Sequence, residues 1–452
     1  MKTNPNIFRA YDIRGIYKKD FDEESFKKIG FILGKTRERF LVGNDIRESG
    51  ASLSKALISG LLSGGARVVS AGTGSLGQIL FSGLKSKTDK TLFITASHLT
   101  PEWNGLKPYF GDGEPLSQET IESIRDQVAV IKDGTTDTGE TAVEKVDFKR
   151  EYLNFLLDKF PLIKNNNLKV VLDCGNGSMS LATPEIFKAF GFNVIELFCQ
   201  PDSSFPNRPS EPTIPATKVL REKVIAEKAD FGVAFDGDGD RGIIIDDKGK
   251  YLTGNQVGII LGKDIVPQAK EKKVVQTIAC SMSVREELRS VGARIIEVPV
   301  GNTYVISTCK KEKACIGIEE TGHIVMTDYF LFDDAILIPL KIAEIILKAR
   351  KRLSDLVSQI RIYPFEGEIP FQCDDEIKFD IIKKLTRDFK KKFNNVNTLD
   401  GVKVNFGDSW ILIRPSNTSP KVNFYVEART QEKFNTLKQE FNKILQEKIC
   451  KQ

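Results

Sequence analysis

Residues Arg39 to Gly72 read RFLVGND, IRESGA, SLSKALISGLLSGG and ARVVSAG, and this stretch decides the fold. A short apolar run, an amphipathic segment of helix length closed by glycines and a second short apolar run make a βαβ signature. It predicts a parallel sheet covered by helices. The same unit returns from Leu168 as LKVVLDCGNG, MSLATPEIFKAFG and NVIELF, and from Lys272 as KKVVQTI, SVREELRSVG and ARIIEVP. A recurrence of roughly a hundred residues is too long for a solenoid and predicts related α/β domains. Beyond Ile362 the order changes to a helix with Ile381, Ile382, Leu385, Phe389 and Phe393 on one face. Two strands around Gly407-Asp408 follow, then a third strand VNFYVEA and a last helix carrying Phe434, Leu437, Phe441 and Ile444. The expected fold class is α/β: three related α/β domains with mixed sheets plus a smaller C-terminal α+β domain, around a central cleft. The expected boundaries are 1–150, 151–251, 252–362 and 363–452.

A chain of 452 residues exceeds the size at which one core keeps growing, which agrees with several domains. The 66 basic and 61 acidic residues leave a net charge of +5, and the densest basic run, Lys390-Lys391-Lys392, reads as a solvated helix face. Without a concentrated basic stripe no nucleic-acid partner is expected. Ala335 to Leu347 comes nearest to a membrane span, but Lys341 and Glu344 interrupt it, so no membrane association is expected. The N-terminus MKTNPNIFRAYD has no long apolar region and predicts a cytoplasmic protein. Seven scattered cysteines without CxxC spacing read as reduced thiols.

The chemistry gathers in four loops. In FITASHLTPEWNGLK, Phe93 to Lys107, an apolar run ends at Thr95-Ala96-Ser97-His98, and Thr100-Pro101-Glu102 has the form of an N-cap, a first-turn proline and a first-turn acid. Ser97 is therefore expected on a strand-to-helix turn, beside free backbone N–H groups and the positive end of a helix dipole. A solvated serine before an ordinary helix is the competing reading. In FGVAFDGDGDRGIII, Asp236, Asp238 and Asp240 alternate with Gly237 and Gly239, so the backbone can curl and turn three carboxylates toward one point. Such a cluster calls for a cation, and an all-oxygen set favours Mg²⁺ over zinc. An EF-hand is excluded, because its sixth position is Arg241 and its twelfth Asp247. Arg241 either orients a ligand or balances charge.

The third loop, CIGIEETGHIV, offers Glu319 and Thr321 as an acceptor pair for vicinal hydroxyls. It also holds His323; the only other histidine is His98, and both stand in glycine-bearing polar loops. The fourth, WILIRPSNTSPK, runs off a strand into Arg414, Ser416, Asn417 and Thr418, a donor-rich set suited to a phosphate dianion, or else a polar turn stopped by Pro420.

These four loops, with FRAYDIRG (Phe8 to Gly15), GNDIRESG (Gly43 to Gly50) and DCGNGS (Asp173 to Ser178), resemble in order and spacing the α-D-phosphohexomutases. The resemblance covers the whole chain and is strongest to the phosphomannomutase/phosphoglucomutase branch. It implies an intramolecular phosphotransferase that interconverts hexose 1- and 6-phosphates through a hexose 1,6-bisphosphate, which also serves as activator. It further implies Ser97 as the phosphorylated serine, with Asp236, Asp238 and Asp240 holding Mg²⁺ together with the Ser97 phosphate. Glu319 and Thr321 would read sugar hydroxyls; Arg414, Ser416, Asn417 and Thr418 would hold the non-reacting phosphate. Arg14, Lys107 and His323 would lie near the transferred group, with Tyr11 and Arg241 as supporting contacts. The partner is a small sugar phosphate, and the expected assembly is a monomer or homodimer. The sequence departs from the family pattern at Leu99, where an amide is usual, at Asn44, at Thr321 in place of serine, at Asn302, and in TIACSMSV, which lacks a lysine of some relatives. None of these touches the serine, the carboxylates or the phosphate loop, so they bear on sugar preference. Phosphoglucosamine mutase, a sugar phosphatase and a non-catalytic sugar-phosphate-binding protein are the rival readings.

Overall fold

The computed structural model describes residues 3–132, 143–416 and 420–449. Asn417, Thr418 and Cys450 lie outside them. The chain organises into two compact units, residues 1–261 with 322–357, and residues 262–321 with 358–452.

The first unit holds two sheets. One has six strands in the order Ile13–Ile16, Trp103–Phe110, Lys90–Ile94, Arg39–Asn44, Arg67–Thr73 and Glu144–Lys145. Arg39–Asn44 runs parallel to Lys90–Ile94 and Arg67–Thr73, as the βαβ pattern predicts. Trp103–Phe110 runs antiparallel to both Lys90–Ile94 and Ile13–Ile16, which makes the sheet mixed. The second sheet sets Lys169–Asp173 parallel to Asn193–Leu197 and Phe231–Phe235, and adds Gly242–Asp246 as the antiparallel arm of a hairpin. One long helix was expected over MSLATPEIFKAFG; a 3-10 turn, Ser178–Leu181, and a short helix, Thr183–Ala189, stand there. Pro184 at the second position fits only a helix start, since it lacks an N–H and fixes φ.

Two helices over the first sheet, Glu23–Gly34 and Gly50–Ser63, touch backbone to backbone. A Cβ on Gly60 would come within 2.0 Å of the Lys27 carbonyl oxygen, and one on Gly30 within 2.3 Å of the Leu57 oxygen. Leu53, Leu57 and Leu61 point the apolar face of Gly50–Ser63 into a core with Phe26, Phe40 and Leu92, all fully buried. Each such side chain contributes about 1.5–3 kcal/mol. The helix Leu337–Ala349 accommodates its buried charges as a pair, Lys341 Nζ donating to Glu344 at 2.5 Å. No described helix is long and apolar enough to cross a membrane.

In the second unit Lys273–Thr277 pairs in parallel with Arg294–Val298 and Ile316–Ile318. The unit also contains an antiparallel sheet in the order Phe365–Gln372, Lys421–Ala428, Ser409–Pro415, Val402–Asn405 and Val396–Asn397. Helices Asp375–Lys392 and Gln431–Ile449 cover it with Ile381, Ile382, Leu385, Phe389, Phe434, Leu437 and Phe441, the helical stripe read from the sequence.

Candidate active site

No helix begins at Thr100. The chain turns at Thr100-Pro101-Glu102, where the Trp103 N–H donates to the Thr100 carbonyl at 3.1 Å and the Thr100 hydroxyl to Glu102 at 2.7 Å, and then enters the strand Trp103–Phe110. The capping residues are used to close a turn, because pairing on both sides of Trp103–Phe110 outweighs a local helix signal. Ser97 therefore sits in a hairpin loop without a helix dipole. Arg47 takes over the organising role: its Nη1 donates to the carbonyls of Thr100 and Trp103 at 2.6 and 3.0 Å, and its Nη2 to those of Ser97 and Leu99 at 2.9 and 2.6 Å. Its Nε donates to Asp45 at 3.1 Å. Ser97 adopts a left-handed φ of 51°, and its N–H donates to the Thr95 hydroxyl at 2.8 Å.

The aspartate turn joins the antiparallel strands Phe231–Phe235 and Gly242–Asp246. Gly237 meets the serine turn directly; a Cβ there would lie 2.5 Å from the Ser97 carbonyl oxygen. Asp236 accepts the N–H groups of Gly239, Asp240 and Arg241 on one oxygen at 3.0, 3.1 and 3.2 Å. Its other oxygen accepts the Ser97 hydroxyl at 3.1 Å and Arg241 Nε at 3.3 Å. Lys107, opposite Phe93 in the sheet register, donates to Asp238 at 2.8 Å and Asp240 at 2.6 Å.

Burial, then the charges of Asp240 and Asp238, pushes the Asp236 carboxyl up to about 8. Burial also opposes ionisation of Asp240, but Lys107 and His323 overcome it and hold that carboxyl well below the usual range. Burial would lower Lys107, yet Asp238 and Asp240 raise it, so it stays an ammonium. Arg14 lies in the strand Ile13–Ile16, pairs with Asp12 at 2.7 Å and is held charged, against its burial, by Asp12, Asp238 and Asp240. Tyr11 is half-buried just before that strand. His323 Nδ1 lies 2.8 Å from Asp333 and 4.0 Å from Asp240. His98 Nδ1 lies 3.5 Å from the Ser97 hydroxyl; burial, then Arg241 and Arg14, keeps this ring neutral.

Carboxylate oxygens of Asp236, Asp238 and Asp240 all lie within 4.8 Å of one another, and all three residues are buried. Asp238 Oδ1 and Asp240 Oδ1 have no hydrogen-bond partner among the described residues. Buried anionic oxygens left without donors fit a hard cation, which makes the turn a candidate metal site.

Ser97, the three aspartates, Lys107, Arg14, Arg241 and His323 thus come together in the first unit. Glu319, Thr321, Arg414 and Ser416 belong to the second. There the Thr321 hydroxyl donates to Glu319 at 2.9 Å. Glu320, beside it, is pushed up to about 8 by burial and then by Glu319 and Glu368, while the Thr277 hydroxyl donates to it at 2.8 Å. Arg414 Nε donates to Asp400 at 2.7 Å, and the same carboxylate oxygen accepts the Val300 N–H at 2.9 Å. Ser416 is buried, with its N–H donating to the Lys421 carbonyl at 2.9 Å. Asp45, Arg47, Thr95 and Asp333 were not singled out from sequence; His98 was singled out but given no role. GNDIRESG contained the first two, but their partners stand 50 residues away in the chain.

A buried hydroxyl on a turn of three buried carboxylates, ringed by a lysine and two arginines, is equipment for phosphoryl transfer, and the class is that of the intramolecular phosphotransferases. Models of phosphoglucomutase/phosphomannomutase α/β/α domains I, II and III match residues 5–134, 150–249 and 253–363, and the C-terminal domain model matches 368–444. The chain is 31% identical over 443 residues to a phosphomannomutase/phosphoglucomutase of Pseudomonas aeruginosa, covering 96% of this chain and 94% of that protein. It is 30% identical to a probable phosphoglucosamine mutase of Methanosphaera stadtmanae, covering 98% and 99%. A crystal structure of a phosphoglucomutase/phosphomannomutase family protein from Burkholderia thailandensis superposes with a TM-score of 0.88 at 26% identity, over 99% of this chain and 98% of that one. The chain belongs to the phosphoglucomutase/phosphomannomutase family of the α-D-phosphohexomutase superfamily.

Proposed function

We propose that the protein interconverts the 1- and 6-phosphates of a hexose, mannose and/or glucose, through phospho-Ser97 and a hexose 1,6-bisphosphate. One observation carries this reading: beside the Ser97–Asp236 hydrogen bond, Arg14 Nε and Arg241 Nη2 are buried donors with no hydrogen-bond partner among the described residues. Leaving such donors unpaired costs about 1–3 kcal/mol each, and phosphoryl oxygens are the acceptors that would recover it. Asp236, Asp238 and Asp240, with the Ser97 oxygen, are the proposed ligands of Mg²⁺, whose role when bound is to neutralise charge on the carboxylates and the phosphoryl group.

The protein's own residues supply the rest. Ser97 carries the phosphoryl group between the two ends of the sugar. Lys107, held protonated, stabilises negative charge and does not act as a base. His323, braced through Nδ1 by Asp333, is the residue proposed to exchange a proton with the sugar hydroxyl. Tyr11 and Arg241 are proposed as supporting contacts. Glu319 and Thr321 are proposed to read sugar hydroxyls, and Arg414, Ser416, Asn417 and Thr418 to hold the phosphate that is not being transferred. The bisphosphate reorients between the two transfers and is also the activator that primes the serine. The proposed setting is cytoplasmic, with a free sugar phosphate as the only partner and a monomer or homodimer as the assembly.

The test is a panel of mannose, glucose and glucosamine 1-phosphates with a trace of hexose 1,6-bisphosphate. Turnover of mannose or glucose with almost no inorganic phosphate released, one phosphate on Ser97 by intact mass, and a dead Ser97→Ala variant are expected. A variant with near-normal turnover refutes the scheme. A glucosamine preference would make the protein a phosphoglucosamine mutase, the second reading, supported by the Methanosphaera relative at nearly equal identity.

A further inference from the structure

Cys174 and Cys199 lie on neighbouring strand ends. Lys169–Asp173 pairs in parallel with Asn193–Leu197, Asp173 opposite Leu197, and the Cys174 N–H continues the ladder to the Leu197 carbonyl at 3.2 Å. Phe198 then turns into the left-handed region, at a φ of 54°, and Cys199 follows it with its sulfur 3.0 Å from that of Cys174. Two sulfurs this close are about 1 Å from the length of a disulfide bond. Both thiols are free, Cys174 fully buried and Cys199 8% exposed. We infer that Cys174 and Cys199 form a dithiol redox site that a peroxide or a low-molecular-weight disulfide closes to a disulfide, with Cys199 oxidised first and Cys174 resolving.

The hydrogen bond with Cys174 draws the Cys199 thiol down, while burial pushes Cys174 up, so thiolate character concentrates on the more accessible sulfur. With a peroxide, the Cys199 thiolate attacks one oxygen, the O–O bond breaks, and Cys199 becomes a sulfenic acid as the departing oxygen leaves as water. Cys174 sulfur then attacks Cys199 sulfur, the S–O bond breaks, and its oxygen leaves with the Cys174 proton as a second water. Two thiols and one peroxide give one disulfide and two waters. With a disulfide oxidant, Cys199 forms a mixed disulfide and releases one thiol, and Cys174 releases the second.

The site backs the aspartate turn. Asp173, next to Cys174, holds Arg208 Nε at 2.9 Å, and Arg208 Nη2 donates at 2.7 Å to the Phe235 carbonyl just before Asp236. Farther along the same loop the Ser178 N–H donates to the Gly237 carbonyl at 2.9 Å. Closure draws on a displacement of about 1 Å, and misplacement on that scale can cost about a hundredfold in rate, so loss of turnover up to that factor is expected.

The experiment treats the full-length reduced protein with hydrogen peroxide and maps it without reduction. Expected in the wild type are a Cys174–Cys199 peptide link, loss of two hydrogens, and a fall in turnover that dithiothreitol reverses. In Cys174→Ser, Cys199 stops at a sulfenic acid that dimedone traps; Cys199→Ser keeps its turnover through the treatment. No link in the wild type, or a dimedone adduct at another cysteine in its place, overturns the site. A link that leaves turnover unchanged overturns its hold on the turn. The turnover readout rests on the mutase reading and the mass and adduct readouts do not, so a linked protein inactive even when reduced would count against the function alone.

Discussion

Arg47 satisfies five N–H donors on five oxygens, four of them carbonyls of one turn and the fifth from Asp45. The Ser97 backbone is held in its left-handed conformation by this guanidinium. Lysine keeps the charge, but its three donors radiate from one point and cannot reach the planar set. Arg47→Lys should therefore cost about 3 kcal/mol in urea unfolding, from the range for breaking one side of a buried charged pair. Turnover should fall by about tenfold to a hundredfold through displacement of the serine. Wild-type stability and rate in this variant would remove Arg47 from its positioning role. The serine and the three aspartates were legible in the sequence, because each group sits within one short loop whose glycines and polar residues announce a turn. Arg47 and Thr95 carried no such signal. Their roles arise from contacts across the sheet, the Thr95 hydroxyl lying 2.7 Å from Asp45 and 3.0 Å from Asp238, and separation along the chain hides contacts of that kind.

At the scale of elements, hydrophobic patterning marked the βαβ units and the helix stripes correctly, while local signals near Thr100 pointed to a helix that sheet pairing overrides. A strand shared between two neighbours gains a ladder on each side, and no local window contains that fact. The terminal glycines of SLSKALISGLLSGG read as a helix stop, and the helix Gly50–Ser63 does end at Gly64, while Gly60 lies inside it. Alanine there should gain about 1 kcal/mol of helix propensity. The added Cβ would stand 2.0 Å from the Lys27 carbonyl, a backbone atom that moves only if the helix pair separates. Overpacking of this kind costs about 1–3 kcal/mol or more, so Gly60→Ala should destabilise the protein on balance, and a raised urea midpoint would contradict the close approach. Asp334 offers a pH counterpart. Burial pushes its carboxyl up to about 6, although the Tyr152 hydroxyl donates to it at 2.6 Å and favours the ionised form. Its folded value lies above the unfolded one, so its contribution is fully present below about pH 4 and is lost as pH rises through about 6. Asp334→Asn keeps an acceptor for Tyr152 and removes the charge. It should match the wild type at pH 4 and exceed it by about 1–3 kcal/mol at pH 8, measured by urea unfolding at the two pH values. Equal stability at both would show that Asp334 is not desolvated.

For the whole molecule, the proposed reaction divides its equipment between the two compact units. The first carries the serine, the aspartate turn and His323; the second carries Arg414 and Glu319. Arg414 is 3% exposed, and Asp400 engages its Nε at 2.7 Å. That bond orients the guanidinium, and Asp400 is tied down in turn by the Val300 N–H. If Arg414 grips the phosphate that is not being transferred, its loss removes charge-assisted hydrogen bonds worth about 1.5–3 kcal/mol. Arg414→Ala should then raise the Michaelis constant for hexose 1-phosphate by roughly tenfold to a hundredfold. Divalent-ion affinity at the aspartate turn should stay unchanged, because every proposed metal ligand lies in the other unit. Steady-state kinetics and calorimetric titration with Mg²⁺ separate the two effects. An unchanged Michaelis constant would remove Arg414 from substrate binding. A parallel loss of Mg²⁺ affinity would mean instead that the substitution unfolds the protein, and a thermal melt of the variant would register that directly. The sugar itself is a finer matter, proposed to be read by the Glu319 loop, where Thr321 stands in place of the family's usual serine and donates to Glu319 at 2.9 Å. Thr321→Ser keeps that donor and removes only a methyl group, so it should shift the mannose-to-glucose ratio of kcat/KM without lowering both, by at most the 10- to 200-fold that about 1–3 kcal/mol allows for one missing carbon.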